Sequence, residues 1–231
     1  YLYFAKLNVD PKNPEMEDRD RLVLSKGHCA PALYSVLAER GFFDKDELKS
    51  LRHIGSMLQG HPCIHIPGVD MSSGSLGQGI SVACGMALSG KISSKDYKVY
   101  AILGDGEIEE GQVWEAAMFA SHYKLDNLVA IVDNNGLQID GKITEVCSPE
   151  PIDKKFEAFG WHVIVIDAHD FDEIERAFDE AEKISGKPVA IIQKSVKGKG
   201  VSFMENQVSW HGSAPNKEQY EQATAELQAE I

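Results

Sequence analysis

The chain has 231 residues, enough to bury a sizeable core as one domain and cramped for two. Its 23 basic and 36 acidic residues give a net charge of −13, which argues against nucleic acid or an anionic membrane as partner, so any anionic ligand has to be held by a local site. No apolar run approaches the roughly eighteen residues of a membrane span and no secretion-type segment opens the chain, which reads as cytoplasmic; four cysteines without a C-x-x-C pair argue against zinc and a disulfide framework.

In chain order, Tyr1 to Leu7 reads as the last turns of a helix with no cap or initiating methionine, so the true N-terminus is expected upstream. A loop around Pro11 and Pro14 and a charged stretch lead to a short strand, Leu22 to Leu24, followed by the segment SKGH ending at His28. A helix is predicted from Pro31, with Leu33, Val36 and Leu37 on its buried face and Gly41 as its stop. Asp44 and Glu47 suggest a capping box opening a helix through Leu51, and Gly60, His61 and Pro62 fall in the loop beyond. The segment SSGSLGQG, Ser72 to Gly79, runs into a small-residue helix from Ile80 to Ser89, stopped by Gly90. A glycine loop feeding a helix N-terminus suits an anion such as a diphosphate, and equally a plain loop before a packed helix.

Val99 to Leu103 is a strand, Gly104, Asp105 and Gly106 turn the backbone, and a helix from Glu110 to Ser121 carries Val113, Trp114, Ala117, Met118 and Ala120 at helical spacing. Leu128 to Val132 is the next strand, ending in Asn134 and Asn135. A right-handed crossover puts the carboxyl ends of both strands on one sheet edge, where open α/β folds bind ligands. An aspartate carboxylate, an asparagine carbonyl and the Leu137 backbone carbonyl there form a hard-oxygen set suited to Mg²⁺ or Ca²⁺. Farther on, His162 to Asp167 and Pro188 to Lys194 are strands around a helix from about Asp172 to Ser185, with Phe171, Ile174, Phe178 and Ala181 buried. The basic glycine loop SVKGKG, Ser195 to Gly200, suits an approach to a phosphate but reads first as a solvated loop, and a last helix from about Asn216 carries Tyr220, Ala223 and Leu227. The fold class is α/β, a parallel sheet with helices on both faces.

The stretch from Gly104, Asp105 and Gly106 to Asn134 and Asn135 resembles the thiamine diphosphate signature, and with SKGH at His28, GHP at His61 and the loop from Gly74 to Gly79 the chain resembles the transketolase family over nearly its whole length. The resemblance implies one diphosphate-binding domain over residues 1–231, binding thiamine diphosphate and Mg²⁺ (or Ca²⁺). Its metal ligands would be Asp105, Asn135 and the Leu137 carbonyl. Gly74, Leu76, Gly77, Gly104, Asp105, Gly106, Glu107, Asn135 and Ile139 would bind the cofactor. His28, His61 and His211 would serve diphosphate and substrate, with Glu110 at a subunit interface. The implied reaction moves a two-carbon ketol unit from a ketose phosphate to an aldose phosphate, as in the pentose phosphate pathway. The resemblance also implies a glutamate from a pyrimidine-binding domain for which this chain has no room, hence a C-terminal partner subunit, with two copies of each chain as the simplest closed assembly. A family histidine before Tyr1 is missing. Related thiamine enzymes, such as deoxyxylulose-phosphate synthase or a 2-oxo acid dehydrogenase subunit, and a non-catalytic cofactor-binding module are the alternatives.

Overall fold

The computed structural model describes residues 1–229. Strand β1 (Arg21–Leu24) precedes helices α1 (Ala30–Arg40) and α2 (Gln78–Ile92); β2 (Val99–Gly104), α3 (Gly111–His122) and β3 (Leu128–Asn134) form the central unit. A two-stranded hairpin, β4 (Leu137–Gln138) with β5 (Gly141–Lys142), and helices α4 (Ile143–Val146) and α5 (Ile152–Ala158) follow. Strand β6 (His162–Asp167), α6 (Phe171–Lys183), β7 (Val189–Lys194) and α7 (Lys217–Ala229) complete the order.

Five strands pair in parallel in the order β1-β2-β3-β7-β6. Their carboxyl ends therefore share one edge, as the βαβ reading required. Alternate strand residues face opposite layers. Leu22, Leu24, Tyr100, Val129, Ile131 and Ile191 pack under α1 and α6, whereas Val23, Ala101, Leu103, Ala130, Val132 and Ile192 pack under α2, α3 and α5. Small residues on α2 and α3, such as Ala83, Ala87, Ala117 and Ala120, bring those helices close to the sheet.

Several local expectations are corrected. Gly90 does not end α2; the helix runs on to Ile92, because Gly90 keeps a helical φ and its missing side chain makes room for the Tyr97 ring, 3.0 Å from where a Cβ would stand. The capping box at Asp44 is not closed. The Asp44 carboxylate takes the Asp46 N–H at 2.9 Å, an i to i+2 bond, and the six residues Lys45–Ser50 wind as a 3₁₀ helix. Val36, Met118 and Phe171 are not core residues: they are 36 %, 55 % and 71 % exposed. Val36 and Phe171 instead rim an apolar cavity of about 370 Å³ between α1 and α6. The last helix buries no residue, and Tyr220 and Leu227 face outward. Helix α5 was missed in the sequence because its apolar anchors, Ile152 and Phe156, fill one turn, too short for a period to register.

Candidate active site

A cleft of about 560 Å³ opens at the carboxyl edge of the sheet, within the size range of small-molecule pockets. Every major strand sends a segment to it: Lys26 and His28 after β1, Gly106 after β2, Asn135 and Leu137 after β3, His169 after β6, and Ser195 to Gly198 after β7. The apolar cavity between α1 and α6 is lined by none of the expected site residues.

Asp105 lies just beneath the cleft, 2 % exposed. Its Oδ2 accepts the Gly136 N–H at 2.6 Å and the Asn134 amide at 3.1 Å, and its Oδ1 accepts the Gly106 N–H at 2.9 Å. Burial raises its pKa against these three donors, and the neighbouring Asp133 charge adds to the rise. No Lys, Arg or His bonds it among the described residues. Asn135 donates its amide to Asp133 at 3.4 Å and accepts the Leu137 N–H on Oδ1 at 3.0 Å, so its carbonyl oxygen is the end turned toward Leu137. A carboxylate offers about four lone-pair sites and an amide oxygen two, so both side chains keep an acceptor site free. A buried, unpaired carboxylate beside a neutral oxygen donor is the chemistry of a hard-cation site, and these residues fit one. The described residues hold no cluster of three His, Cys, Asp or Glu side chains placed for a metal, which is consistent with a set containing a single carboxylate.

Basic groups stand beside this set, since Lys26 and Asn135 bond the same Asp133 oxygen. The Lys26 ammonium meets Asp133 at 2.5 Å; burial works against the charge, but Asp133, with Cys29 and Asp105, outweighs it and the Lys26 pKa rises. The Ser195 hydroxyl also bonds Asp133, whose pKa falls because these partners overcome its burial. The His28 and His211 rings stack with centroids 5.4 Å apart. Burial first, then the nearby cations, hold both imidazoles below their ordinary pKa. Lys197 Nζ stands 3.3 Å from His211 Nδ1.

The structure thus gathers His28, His211, Leu76, Gly106, Glu107, Asn135, Leu137 and Ile139 around one cleft, with Asp105 at its floor. Gly104 ends β2 at the same floor. His61 is not among the lining residues; it packs on Gly74, 3.2 Å from where a Cβ would stand, in a segment held by the Tyr34 hydroxyl at 2.9 Å. Glu110 is exposed at the start of α3 and packs on Gly77. Sequence reasoning missed Lys26, Asp133 and His169. It also read Ser195 to Gly200 as solvated, whereas Lys197 reaches the cleft. The signal for Lys197 was its place directly after a strand, on the ligand edge.

Residues 1–230 match the family described as transketolase, thiamine diphosphate binding domain. The chain belongs to the transketolase family. It is 45% identical over 230 residues to one of the subunits of the apulose-4-phosphate transketolase of Phocaeicola vulgatus, covering 100% of this chain and 82% of that one. It is 47% identical over 230 residues to the 6-deoxy-6-sulfo-D-fructose transketolase subunit SqwG of a Clostridium species, covering 99% and 84%. The crystal structure of Campylobacter jejuni transketolase superposes with a TM-score of 0.91 at 36% identity, over 96% of this chain and 36% of that one. This transketolase domain therefore spans about a third of that chain and most of the two subunits.

Proposed function

We propose that this chain is the diphosphate-binding half of a two-chain cytoplasmic transketolase, moving a two-carbon ketol unit between sugar phosphates with thiamine diphosphate and Mg²⁺. The observation that carries the reading is a buried Asp105, bonded by no cationic side chain among the described residues, at the floor of a cleft lined by Asn135, Lys26, Lys197 and the stacked His28 and His211. Asp105, Asn135 and the Leu137 carbonyl would hold the metal; Gly106, His28, His211 and Lys197 would hold the diphosphate. Leu76 and Ile139, 36 % and 64 % exposed at the cleft, offer apolar surface for the cofactor ring.

The bound cofactor would supply the stabilised carbanion that breaks and forms the carbon–carbon bond. The chain's own residues bind, orient and move protons. Burial and nearby cations hold the His28 and His211 pKa values below the ordinary one in the ligand-free chain, and a bound anion would draw them back up, so each ring can give or take a proton at a sugar hydroxyl near neutral pH. His61, on the Gly74 side, would meet the donor sugar.

Two relatives are named as subunits of transketolases, which supports a separate partner carrying the pyrimidine-binding domain, assembled as two copies of each chain with Glu110 at the twofold interface. The test is to mix the purified chain with that partner, thiamine diphosphate and Mg²⁺, and assay xylulose 5-phosphate with ribose 5-phosphate. Turnover should require both chains. Robust turnover by this chain alone would overturn the two-chain reading, and a loaded pair inert toward every sugar phosphate would overturn the transferase reading.

A further inference from the structure

The Glu107 side chain is a buried acid that the proposed chemistry leaves without a task. It is 3 % exposed, and every contact it makes is accepted. Oε1 takes the Ser25 hydroxyl and the Gly77 N–H at 2.9 Å; Oε2 takes the Gly104 N–H at 3.0 Å. No Lys, Arg or His bonds it among the described residues. A carboxylate withdrawn from water without a cation is costly, so a site that keeps one depends on what its hydrogen bonds hold in place.

Those three donors belong to three separate segments: the end of β1, the start of α2 and the end of β2. Each donor is one residue from a group at the cleft. Ser25 precedes Lys26, Gly77 follows Leu76, and Gly104 precedes Asp105. The surrounding glycines are there for close approach. A Cβ on Gly79 would come within 2.5 Å of the Ser25 hydroxyl, one on Gly77 within 2.8 Å of Glu110, and one on Gly27 within 2.7 Å of Ser73. The Gly77 N–H at the mouth of α2 is already donated, so a protein carboxylate stands where a helix N-terminus would otherwise receive a ligand anion.

We propose that Glu107 is a positioning residue, a buried pin that fixes the glycine loop and the Gly104 turn against Ser25 and thereby sets the distance between Leu76, Lys26 and Asp105 across the cofactor cleft. The inference rests on the function proposed above and deepens it, by assigning Glu107 to the backbone of the cleft walls and not to the cofactor itself.

The test is Glu107→Gln, which keeps the side chain's size and turns one acceptor into a donor. Whichever way the amide settles, a backbone N–H at Gly77 or Gly104 faces another N–H. Two readouts are taken on the full chain well below its melting temperature: amide hydrogen exchange without ligand, and calorimetric binding of thiamine diphosphate with Mg²⁺. Exchange should quicken at Gly77 and Gly104 while the α6 side of the sheet stays protected, and affinity should fall by about tenfold or more, the scale of one lost charge-assisted bond. Ser25→Ala, which removes one of the three contacts, should give the same pattern at smaller size and serves if Glu107→Gln does not fold. Unchanged exchange at both Gly77 and Gly104 would overturn the pin, and faster exchange with wild-type affinity would overturn its role in the cleft. If the wild-type chain, with or without its partner, binds no thiamine diphosphate, the proposed function falls and the cofactor role of Glu107 with it, while the exchange result still reports the pin separately.

Discussion

Asp105 concentrates the tension of the site in one side chain. Three donors hold its carboxylate in place, yet burial and the Asp133 charge raise its pKa, so the ligand-free chain carries a buried negative charge that a divalent ion would relieve. Asp105→Ala removes the acceptor and leaves the Gly136 N–H and the Asn134 amide without their partner, a cost of about 1–3 kcal/mol for stranded buried groups. Chemical denaturation of the ligand-free variant should show that loss. A second effect is separable from the first. Ligands that bind the folded state alone raise apparent stability by mass action, so Mg²⁺ and thiamine diphosphate together should raise the wild-type melting temperature more than either alone. In Asp105→Ala the joint rise should vanish. A variant that is less stable but still shows the full joint rise would remove Asp105 from the metal site. Asp133 has the opposite character: Lys26, Ser195 and Asn135 compensate it, which suits a carboxylate that orients Asn135 and does not itself ask for a metal.

At the scale of elements, α2 carries a matched pair of glycines. Both are helical, so alanine at either should gain the propensity term of about 1 kcal/mol. Gly85 has open space where a Cβ would stand, whereas at Gly90 a Cβ would sit 3.0 Å from the Tyr97 ring and 3.3 Å from the Asn127 amide. The Tyr97 hydroxyl is tied to the Met86 carbonyl at 3.0 Å and the Asn127 amide to the Ala87 carbonyl at 2.9 Å, so neither can swing away freely. Gly85→Ala should therefore stabilise the unassembled chain by about 0.5–1 kcal/mol, and Gly90→Ala should destabilise it by about 1–3 kcal/mol through overpacking. Equal effects in urea denaturation would refute the argument. The same helix marks where sequence reading stops. Strands such as Val99 to Leu103 and Leu128 to Val132 were legible because buried parallel strands are continuous apolar runs, and the Asp105 and Asn135 ends followed from one crossover. Gly90 was misread as a stop because a glycine looks alike whether it frees the backbone or clears space for a ring 7 residues away. Lys26 and Lys197 were passed over for a related reason: lysines in glycine-containing loops look solvated until the sheet order β1-β2-β3-β7-β6 brings both loops to one edge.

For the whole molecule the question is how a chain of net charge −13 receives a diphosphate. The fold brings Lys26, Lys197, His28 and His211 to one cleft from segments far apart in sequence, and because Glu107, Asp133 and Asp105 stand at the same cleft, a diphosphate there needs these cations together with the metal. The two imidazoles make the charge of the cleft depend on pH. Both have folded-state pKa values below the ordinary 6.5, with burial the first cause and the neighbouring cations the next. In the free chain the unfolded state therefore binds protons first as pH falls. The stability owed to these histidines is complete above the unfolded value and is lost as pH drops from about 6.5 through the lowered folded pKa values. An anion in the cleft acts the other way, because its charge favours the imidazolium forms and raises both pKa values. Binding near neutral pH should accordingly take up protons. Titrating thiamine diphosphate with Mg²⁺ at pH 7 in two buffers of different ionisation enthalpy should give an apparent heat that depends on the buffer in the sense of uptake, and His211→Gln should reduce that dependence. Net proton release by the wild type, or uptake untouched by His211→Gln, would place the diphosphate away from the His28–His211 stack.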